Sequence, residues 1–372
     1  MHSHTIITLI IMLLCLPSSL CSKGICNPGG GAVYCVIVGT GMNKLLTPER
    51  YWNDCSFLYR TLRHDYRLPG ENITVLMSDG GEPGDDYLRA DGGGFDSSSA
   101  DLDGDGQRDV FLAATLQNFV GHMSTLTTKL GAADHLMIFL MGHGENTVST
   151  DRPSPVWSDD GSSAYLLMWN GDRLTARLLA QLTAPLGAGS VCIVAGQCYS
   201  GGFIDCLSAE GRIVCTACRA DELSWNCPDR LYDEFVYHWT CAIAGHDEQG
   251  TPVDADSNAD GRITMAEAFH YAARHDRRPE TPQYSSTPED LGQRWTFSGL
   301  LPEDYDGIID IQSSGRLPAA RTLQPSLYDL MGRPASVQGD LHSPPIVAQG
   351  KGWGQQSPRK RAMMKKGKII IK

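Results

Sequence analysis

The stretch that decides the fold is His135-Leu-Met-Ile-Phe-Leu-Met-Gly-His-Gly144, together with Ser190-Val-Cys-Ile-Val-Ala-Gly-Gln-Cys198 further along the chain. Each is a continuous apolar run, partly β-branched, that breaks at glycine, which is typical of a buried strand. In open α/β sheets, ligands bind just beyond the carboxyl ends of the strands. If the two strands are neighbours, the imidazole of His143 and the thiol of Cys198 meet at that edge, which is the minimum needed for a cysteine nucleophile.

Strands alternate with helices along the rest of the chain. Further buried strands are predicted at about residues 32–39, 72–77 and 211–217, and helices at about 47–64, 109–129, 172–184 and 231–244. This alternation is typical of an α/β fold with a mostly parallel sheet covered on both faces. We therefore assign residues 30–312 to one domain, with the polar, glycine-rich residues 80–108 as a surface excursion.

Composition and charge narrow the class of protein. The chain has 372 residues, of which 41% are hydrophobic and 20% charged, so it is long and apolar enough to bury a large core. Its formal net charge of -12 argues against nucleic acid as the main partner.

The N-terminal residues are typical of an export signal. Residues 5–16 form an apolar run too short to span a bilayer, and the small polar residues after it suit a cleavage region. The sequence therefore predicts a signal peptide over residues 1–22 and a secreted or cell-surface protein. Export permits disulfides, and one or two bridges are expected in the group Cys206, Cys215, Cys218, Cys227 and Cys241.

The two strand ends suggest a reaction. Cys198 alone is as consistent with a buried structural thiol, but its place at a strand end, before a glycine turn and after a strand ending in His-Gly, favours catalysis. His143 would take the thiol proton and later protonate the leaving amine. Cys198 would attack an acyl carbonyl to form a thioester, and the backbone N–H groups of Gly144 and Cys198 would hold the oxyanion.

These motifs resemble the legumain (asparaginyl endopeptidase) family of cysteine peptidases. That family pairs a strand ending Asp-His-Gly with one ending Glu-Ala-Cys-Glu-Ser-Gly, and the equivalents here are Gly142-His-Gly144 and Gly196-Gln-Cys-Tyr-Ser-Gly201. Arg50-Tyr-Trp-Asn-Asp54 and Ala220-Asp-Glu-Leu-Ser-Trp-Asn-Cys227 are also similar to family motifs. The resemblance implies a caspase-like α/β/α sandwich and an endopeptidase acting on peptide or protein substrates, or a transpeptidase in which an amine resolves the thioester.

Carried over to this sequence, the resemblance implies that His143 and Cys198 form the catalytic dyad. It also implies a pocket for the substrate side chain, with Arg50 at its wall, Asp233 at its floor and Ser224 beside them. Two positions depart from the family pattern: Gly196 replaces the acidic residue two places before the nucleophile, and Leu223 replaces the first of two paired serines. The residue preferred in the substrate therefore stays open.

A second motif predicts a calcium site. Residues 256–267 fit the twelve-residue EF-hand loop, with glycine at position six, an apolar residue at position eight and glutamate at position twelve. The candidate ligands are Asp256, Asn258, Asp260, Arg262, Thr264 and Glu267. We expect a structural Ca²⁺ here, and none in the chemistry. Residues 101–109 match only the first half of such a loop, because Leu112 replaces the glutamate, so weak calcium binding and a solvated acidic loop are equally consistent.

The C-terminal residues resemble a sorting element. Ser326-Leu-Tyr-Asp-Leu-Met-Gly-Arg-Pro334 and the basic end Lys365–Lys372 are similar to the C-terminal signals of Bacteroidetes type IX secretion cargo. We assign residues 313–325 to a linker and 326–372 to this element, which implies the outer-membrane secretion machinery as a partner. A disordered basic tail that binds anionic surfaces is the alternative. For the whole chain, a calcium-dependent adhesion or scaffold protein is the alternative to an enzyme, and a hydrolase of non-peptide amides or thioesters is a third possibility.

Overall fold

The computed structural model describes residues 31–146 and 164–301, which belong to one compact unit. Its centre is a seven-stranded sheet in the order β7-β6-β5-β4-β1-β2-β3. The strands are β1 (Val33–Thr40), β2 (Ile73–Met77), β3 (Val110–Leu112), β4 (His135–Gly142), β5 (Ser190–Ala195), β6 (Arg212–Thr216) and β7 (Gln283–Thr287). All neighbours are parallel except β6 and β7. The predicted α/β fold with a mostly parallel sheet is confirmed.

Helices cover both faces of the sheet. They are α1 (Arg50–Arg60), α2 (Leu116–Lys129), α3 (Ala176–Thr183), α4 (Ile204–Leu207), α5 (Glu234–Ala244), α6 (Met265–His275) and α7 (Leu291–Arg294). Residues of α1, α5 and α6 share one hydrophobic cluster, and residues of α2, α3 and α4 share the other. A π-helical turn at Thr61–Asp65 continues α1.

The strand sequences explain this layered arrangement. All eight residues of β4 are buried. Alternate residues of this strand enter opposite clusters, with Met137 and Phe139 on the α5 side and Leu136 and Ile138 on the α2 side. A parallel strand buried on both faces needs such a continuous apolar run, since neither face meets water.

The connections create a switch in strand order at β1. The chain leaves β1 toward β2 and β3, then returns to place β4 on the other side of β1. Ligands of open α/β sheets bind at the carboxyl edge where the order reverses. The ends of β1, β4 and β5 meet at that edge.

Three elements differ from the prediction or were missing from it. The predicted helix at 109–129 begins later, because Val110–Leu112 pairs with β2 and Thr115 caps α2 through its side chain. The predicted helix at 172–184 is shortened by Arg173–Thr175, which pairs with Ala164–Leu167. The antiparallel strand β7 was not predicted, because its half-buried residues are mostly polar and lack a clear apolar pattern.

Short strands decorate the rim of the domain. Within the predicted surface excursion, Tyr87–Leu88 pairs with Phe95–Asp96. Gly144–Asn146 pairs with Ala164–Leu167, and Trp295–Thr296 with Gly299–Leu300.

Several predictions lie outside the described residues. They are the signal peptide at 1–22, the linker at 313–325, the sorting element at 326–372 and the last residues of the 30–312 domain. Within the two described ranges, no helix is both long and apolar enough to cross a membrane. The nine cysteines of those ranges are free, so the bridges expected around Cys206–Cys241 do not form there; most of these thiols pack in the core instead.

Candidate active site

Cys198 lies on a sharp turn beyond the carboxyl end of β5. Gly196 and Gln197 separate it from the strand, and Tyr199 behind it has a left-handed φ of 59°. A non-glycine residue in this conformation is uncommon and often accompanies a functional turn. The N–H of Tyr199 donates to the carbonyl of Glu222 at 2.8 Å and thereby holds the turn. As a residue Cys198 is partly buried, whereas Cys192 inside β5 is fully buried.

His143 follows β4 directly and is 7% exposed. Its ring hydrogen-bonds to the backbone of Leu46 and meets the ring of Tyr51 edge-on, with centroids 5.6 Å apart. Nε2 has no partner among the described residues, so the bond to Leu46 uses Nδ1. A proton on Nδ1 would satisfy the backbone of Leu46 and leave Nε2 as a bare acceptor, which is the state a general base requires.

The two strand ends are in direct contact. β4 and β5 are adjacent and parallel, and the N–H of Gly196 donates to the carbonyl of Leu140 at 2.9 Å. A Cβ placed on Gly144 would lie only 2.0 Å from the carbonyl oxygen of Cys198, so only glycine fits there. The structure thus places Gly144 against the backbone of Cys198, with His143 one residue before Gly144.

The histidine and the thiol are both neutral in this arrangement. Burial is the main cause that lowers the pKa of His143 to about 3, and the positive charge of Arg50 lowers it further. Burial also raises the pKa of Cys198, against the opposing effect of hydrogen bonds from Ser224. A preformed thiolate–imidazolium pair is therefore disfavoured, and proton transfer would accompany attack on the substrate.

Ser224 is the nearest polar neighbour of the thiol. Its Oγ donates to Sγ of Cys198 at 3.5 Å, and its carbonyl oxygen accepts from the thiol at 3.7 Å. The N–H of Cys198 has no acceptor among the described residues, which leaves it available to an oxyanion.

Arg50 and Asp233 form a buried ion pair beside this site. Nε of Arg50 donates to both carboxylate oxygens of Asp233 at 3.0 Å, with side-chain exposures of 12% and 7%. The N–H of Asp233 donates to both oxygens of Asp54 at 3.3 Å. Burial is the main cause that raises the pKa of Asp54 well above its usual value, and the charge of Asp233 adds to it. The pairing of Arg50 with Asp233, 183 residues away along the chain, fits the predicted pocket.

Gly196, one of the two positions that depart from the legumain pattern, is tightly surrounded by side chains. A Cβ there would lie 2.7 Å from Val236 and 2.9 Å from the sulfur of Met141, so no side chain fits without a shift. A side chain at Gly196 would therefore require Val236 and Met141 to move, while Leu223 at the other departing position is partly buried.

Three residues near His143 and Cys198 escaped the sequence analysis. Tyr51 packs on the imidazole, the backbone of Leu46 orients it, and Asp54 anchors Asp233. Tyr51 and Asp54 belong to the Arg50–Asp54 motif, so their nearness to Arg50 was the available signal. Leu46 acts through its backbone, which leaves no mark on the sequence.

The predicted calcium loop adopts a turn held by its own side chains. Asp256 accepts from the N–H groups of Asp260 and Gly261 at 3.1 and 2.7 Å. The carboxylate of Glu267 accepts from Thr264 in a capping box, and also from the N–H and Oγ of Ser257. The side chain of Asn258 accepts from the N–H of Asp260. The carboxylate of Asp260 in turn accepts from the N–H of Arg262. The carboxylates of Asp256, Asp260 and Glu267 are not gathered within 4.8 Å, so the calcium site stays a prediction.

The weaker sequence match shows the tighter cluster of carboxylates. Oxygens of Asp101, Asp103 and Asp109 lie within 4.8 Å of one another, close enough to bind a cation. Each also accepts a backbone N–H: Asp101 from Gly104 at 2.7 Å, Asp103 from Asp105 at 3.2 Å and Asp109 from Leu102 at 2.7 Å.

Comparison with known proteins adds little to this geometry. No protein-family model matches the chain, and no curated protein matches it. Among solved structures, the chain is similar to protein GSU0716 of Geobacter sulfurreducens at 12% identity and a TM-score of 0.43, over 73% of this chain and 100% of that one. A likeness at this level carries no argument about function.

Proposed function

We propose that this protein is an exported cysteine endopeptidase with a caspase-like, legumain-like fold and a Cys198–His143 dyad. The observation that carries the proposal is the contact between the two strand ends at the switch point of the sheet. There a thiol and a neutral imidazole with a free Nε2 lie on backbone that Gly144 holds against Cys198.

The residues fit acyl transfer. As Sγ of Cys198 attacks the substrate carbonyl, its proton passes to Nε2 of His143. The N–H of Cys198 stabilises the oxyanion, with that of Gly144 as the second expected donor. The carbon–nitrogen bond then breaks, His143 returns the proton to the leaving amine, and a thioester on Cys198 remains. Water, activated by His143, hydrolyses the thioester and frees the thiol.

The ion pair beside the thiol supports a side-chain pocket. Arg50 is fixed through Nε by Asp233, and neither Nη group has a hydrogen-bond partner among the described residues. A guanidinium held in this way offers its remaining N–H groups to an oxygen acceptor of the substrate. Ser224 completes the proposed pocket on the side of the thiol.

Calcium belongs to the proposal as a structural ion. Residues 256–267 carry the ligand pattern. Helix α6 begins within them at Met265, and α5 ends earlier, at Ala244. When bound, the ion would fix the connection between these two helices. It takes no part in the reaction.

Cleavage-site profiling of a peptide library tests the proposal. The wild type is compared with Cys198→Ala and with Cys206→Ala, a matched control at another partly exposed, free cysteine. We expect the control to cut like the wild type and Cys198→Ala not to cut. Cutting by Cys198→Ala would reject the dyad. An added amine nucleophile in the same assay separates hydrolysis from transpeptidation.

The alternative of a metal-dependent binding protein is supported by the triad of Asp101, Asp103 and Asp109. It predicts that Cys198 is inert toward acyl electrophiles and that chelation abolishes partner binding. A reactive Cys198 in chelator-treated protein would count against it.

A further inference from the structure

Two buried carboxyl groups lie in contact behind the loop that carries Ser224. Asp276 directly follows α6 and is 6% exposed, and Glu280 is 5% exposed. The two carboxyl groups are close enough for each to shift the pKa of the other. Oδ1 of Asp276 accepts from the N–H of Arg278 at 2.8 Å, and Oε2 of Glu280 accepts from the N–H of Trp225 at 3.1 Å. The second oxygen of each carboxyl group has no donor among the described residues.

This contact requires a proton. Two carboxylates held together away from water repel each other, so the pair is stable only when one proton lies between them. Burial is the main cause that raises the pKa of both groups. The oxygens left without a donor are therefore the ones that the shared proton joins.

The cations that face the pair lie beside other groups. The titratable or charged groups that face it are Glu234 and His238 of α5, Asp233, Cys218 and Arg278. His238 lies 3.7 Å from Glu234, which also accepts the N–H of Arg277. The guanidinium of Arg278 lies over the ring of Trp225, 5.1 Å from its centroid. Because each of these cations lies beside another group, a proton is left to hold Asp276 and Glu280 together.

The pair is connected to the thiol through the backbone. Glu280 binds the N–H of Trp225, and the preceding residue, Ser224, donates to Sγ of Cys198. A second tie runs beside it, because the N–H and Oγ of Thr281 donate to Glu222 at 2.9 and 3.0 Å.

We propose that Asp276 and Glu280 are positioning residues whose shared proton clamps the Ser224–Trp225 segment against Cys198. When the proton is lost as the pH rises, the carboxylates separate and the Ser224 hydrogen bond to the thiol weakens. The proposal rests on the proposed function, because it concerns the nucleophile of the peptidase. It is tested on the reactivity of the thiol alone. The clamp can therefore fail while peptidase activity is present, and it can hold while peptidase activity is absent.

The test is the rate of alkylation of Cys198 by iodoacetamide, followed by peptide mass spectrometry across a pH series. Glu280→Gln keeps the shape, accepts from Trp225 and donates to Asp276, yet cannot lose a proton. We expect the ratio of the Glu280→Gln rate to the wild-type rate to be near one at acid pH. At alkaline pH it rises about two- to tenfold, as expected for one hydrogen bond to the thiolate. Because the ionisation of the Cys198 thiol affects both alkylation rates, it cancels in their ratio.

Asp221→Asn is the matched control, because Asp221 lies on the same loop in an exposed ion pair with Arg219. Its ratio to wild type should stay near one throughout. A Glu280→Gln ratio that does not change with pH, or that falls below one, would overturn the clamp.

Two further measurements keep the proposal open to refutation if Glu280→Gln does not fold. Asp276→Asn is the mirror replacement, since its amide donates to Glu280, and it should give the same rise. In the wild type alone, the emission of Trp225, obtained by subtracting a Trp225→Phe protein, should change over the same pH range. An emission independent of pH would contradict the clamp.

Discussion

The strand-end site, formed by His143, Gly144 and Cys198, differs from the two acidic loops at residues 101–109 and 256–267 in what fixes its geometry. Sheet register and one close backbone approach place the strand-end residues, so they meet whether or not a ligand is bound. In the acidic loops, carboxylates take nearby N–H groups, and the better calcium motif is the one whose carboxylates are not gathered. Spacing along a sequence therefore predicts a strand-end site more directly than a loop site.

Among the variants that test this contrast, His143→Ala is expected to have the largest effect on activity. Loss of the general base should lower kcat/KM by about 10²–10⁴-fold. Loss of the buried ring, which contacts Tyr51 and Leu46, should also lower the melting temperature. Steady-state kinetics and thermal unfolding of the same preparation measure both. An unchanged kcat/KM would remove His143 from the reaction.

Gly144→Ala tests the close approach itself. Its Cβ would meet the carbonyl of Cys198 at 2.0 Å, so the turn must move by about 1 Å or more, which costs on the order of 10²-fold in rate. Gly84→Ala is the matched control, because nothing lies within 4 Å of a Cβ there and its φ is not positive. Equal activity of both variants would show that the contact is unimportant.

Calcium should act on stability and leave the chemistry unchanged. At a calcium concentration a hundred times the Kd, one site stabilises the fold by about 2.7 kcal/mol. We expect this rise in the free energy of unfolding to be lost in Glu267→Gln and kept in Asp101→Asn. The reverse result would assign the ion to the loop at 101–109 and break the comparison between the two loops.

The smallest effect is a pH dependence of stability from the buried carboxyl pair. The pKa of Asp276 rises from 3.8 to about 7, mainly through burial, so the folded protein holds a proton that the unfolded chain releases. This stabilisation is fully present below about pH 4 and is lost as the pH rises through about 7. Relative to Glu280→Gln, the wild type should lose stability over this range in urea unfolding. A constant difference would mean that the pair does not titrate there.

Most of the fold could be predicted from the sequence, because parallel strands buried on both faces are continuous apolar runs. Continuous apolar runs at β1, β4 and β5 identified the sheet, and the glycines after them marked the edge at which His143 and Cys198 lie. Strands β3 and β7 were missed because a short strand at an edge and a polar antiparallel strand lack that pattern.

The site was predictable only in part. His143, Gly144 and Cys198 follow from strand ends, and Arg50 and Asp233 were found through the family resemblance. The burial of Asp276 and Glu280 could not be predicted, because carboxyl residues near a proline and arginines are usually exposed to solvent. The folded structure nevertheless buries both.

The most direct test of the account is to trap the acyl-enzyme. The protein is mixed with a peptide thioester or ester, quenched in acid within the first turnover and mapped by mass spectrometry. The account predicts an acyl group on Cys198 that accumulates in the wild type and is absent from Cys198→Ala. Cleavage of the peptide without an adduct on Cys198, or with the adduct on another residue, would contradict it.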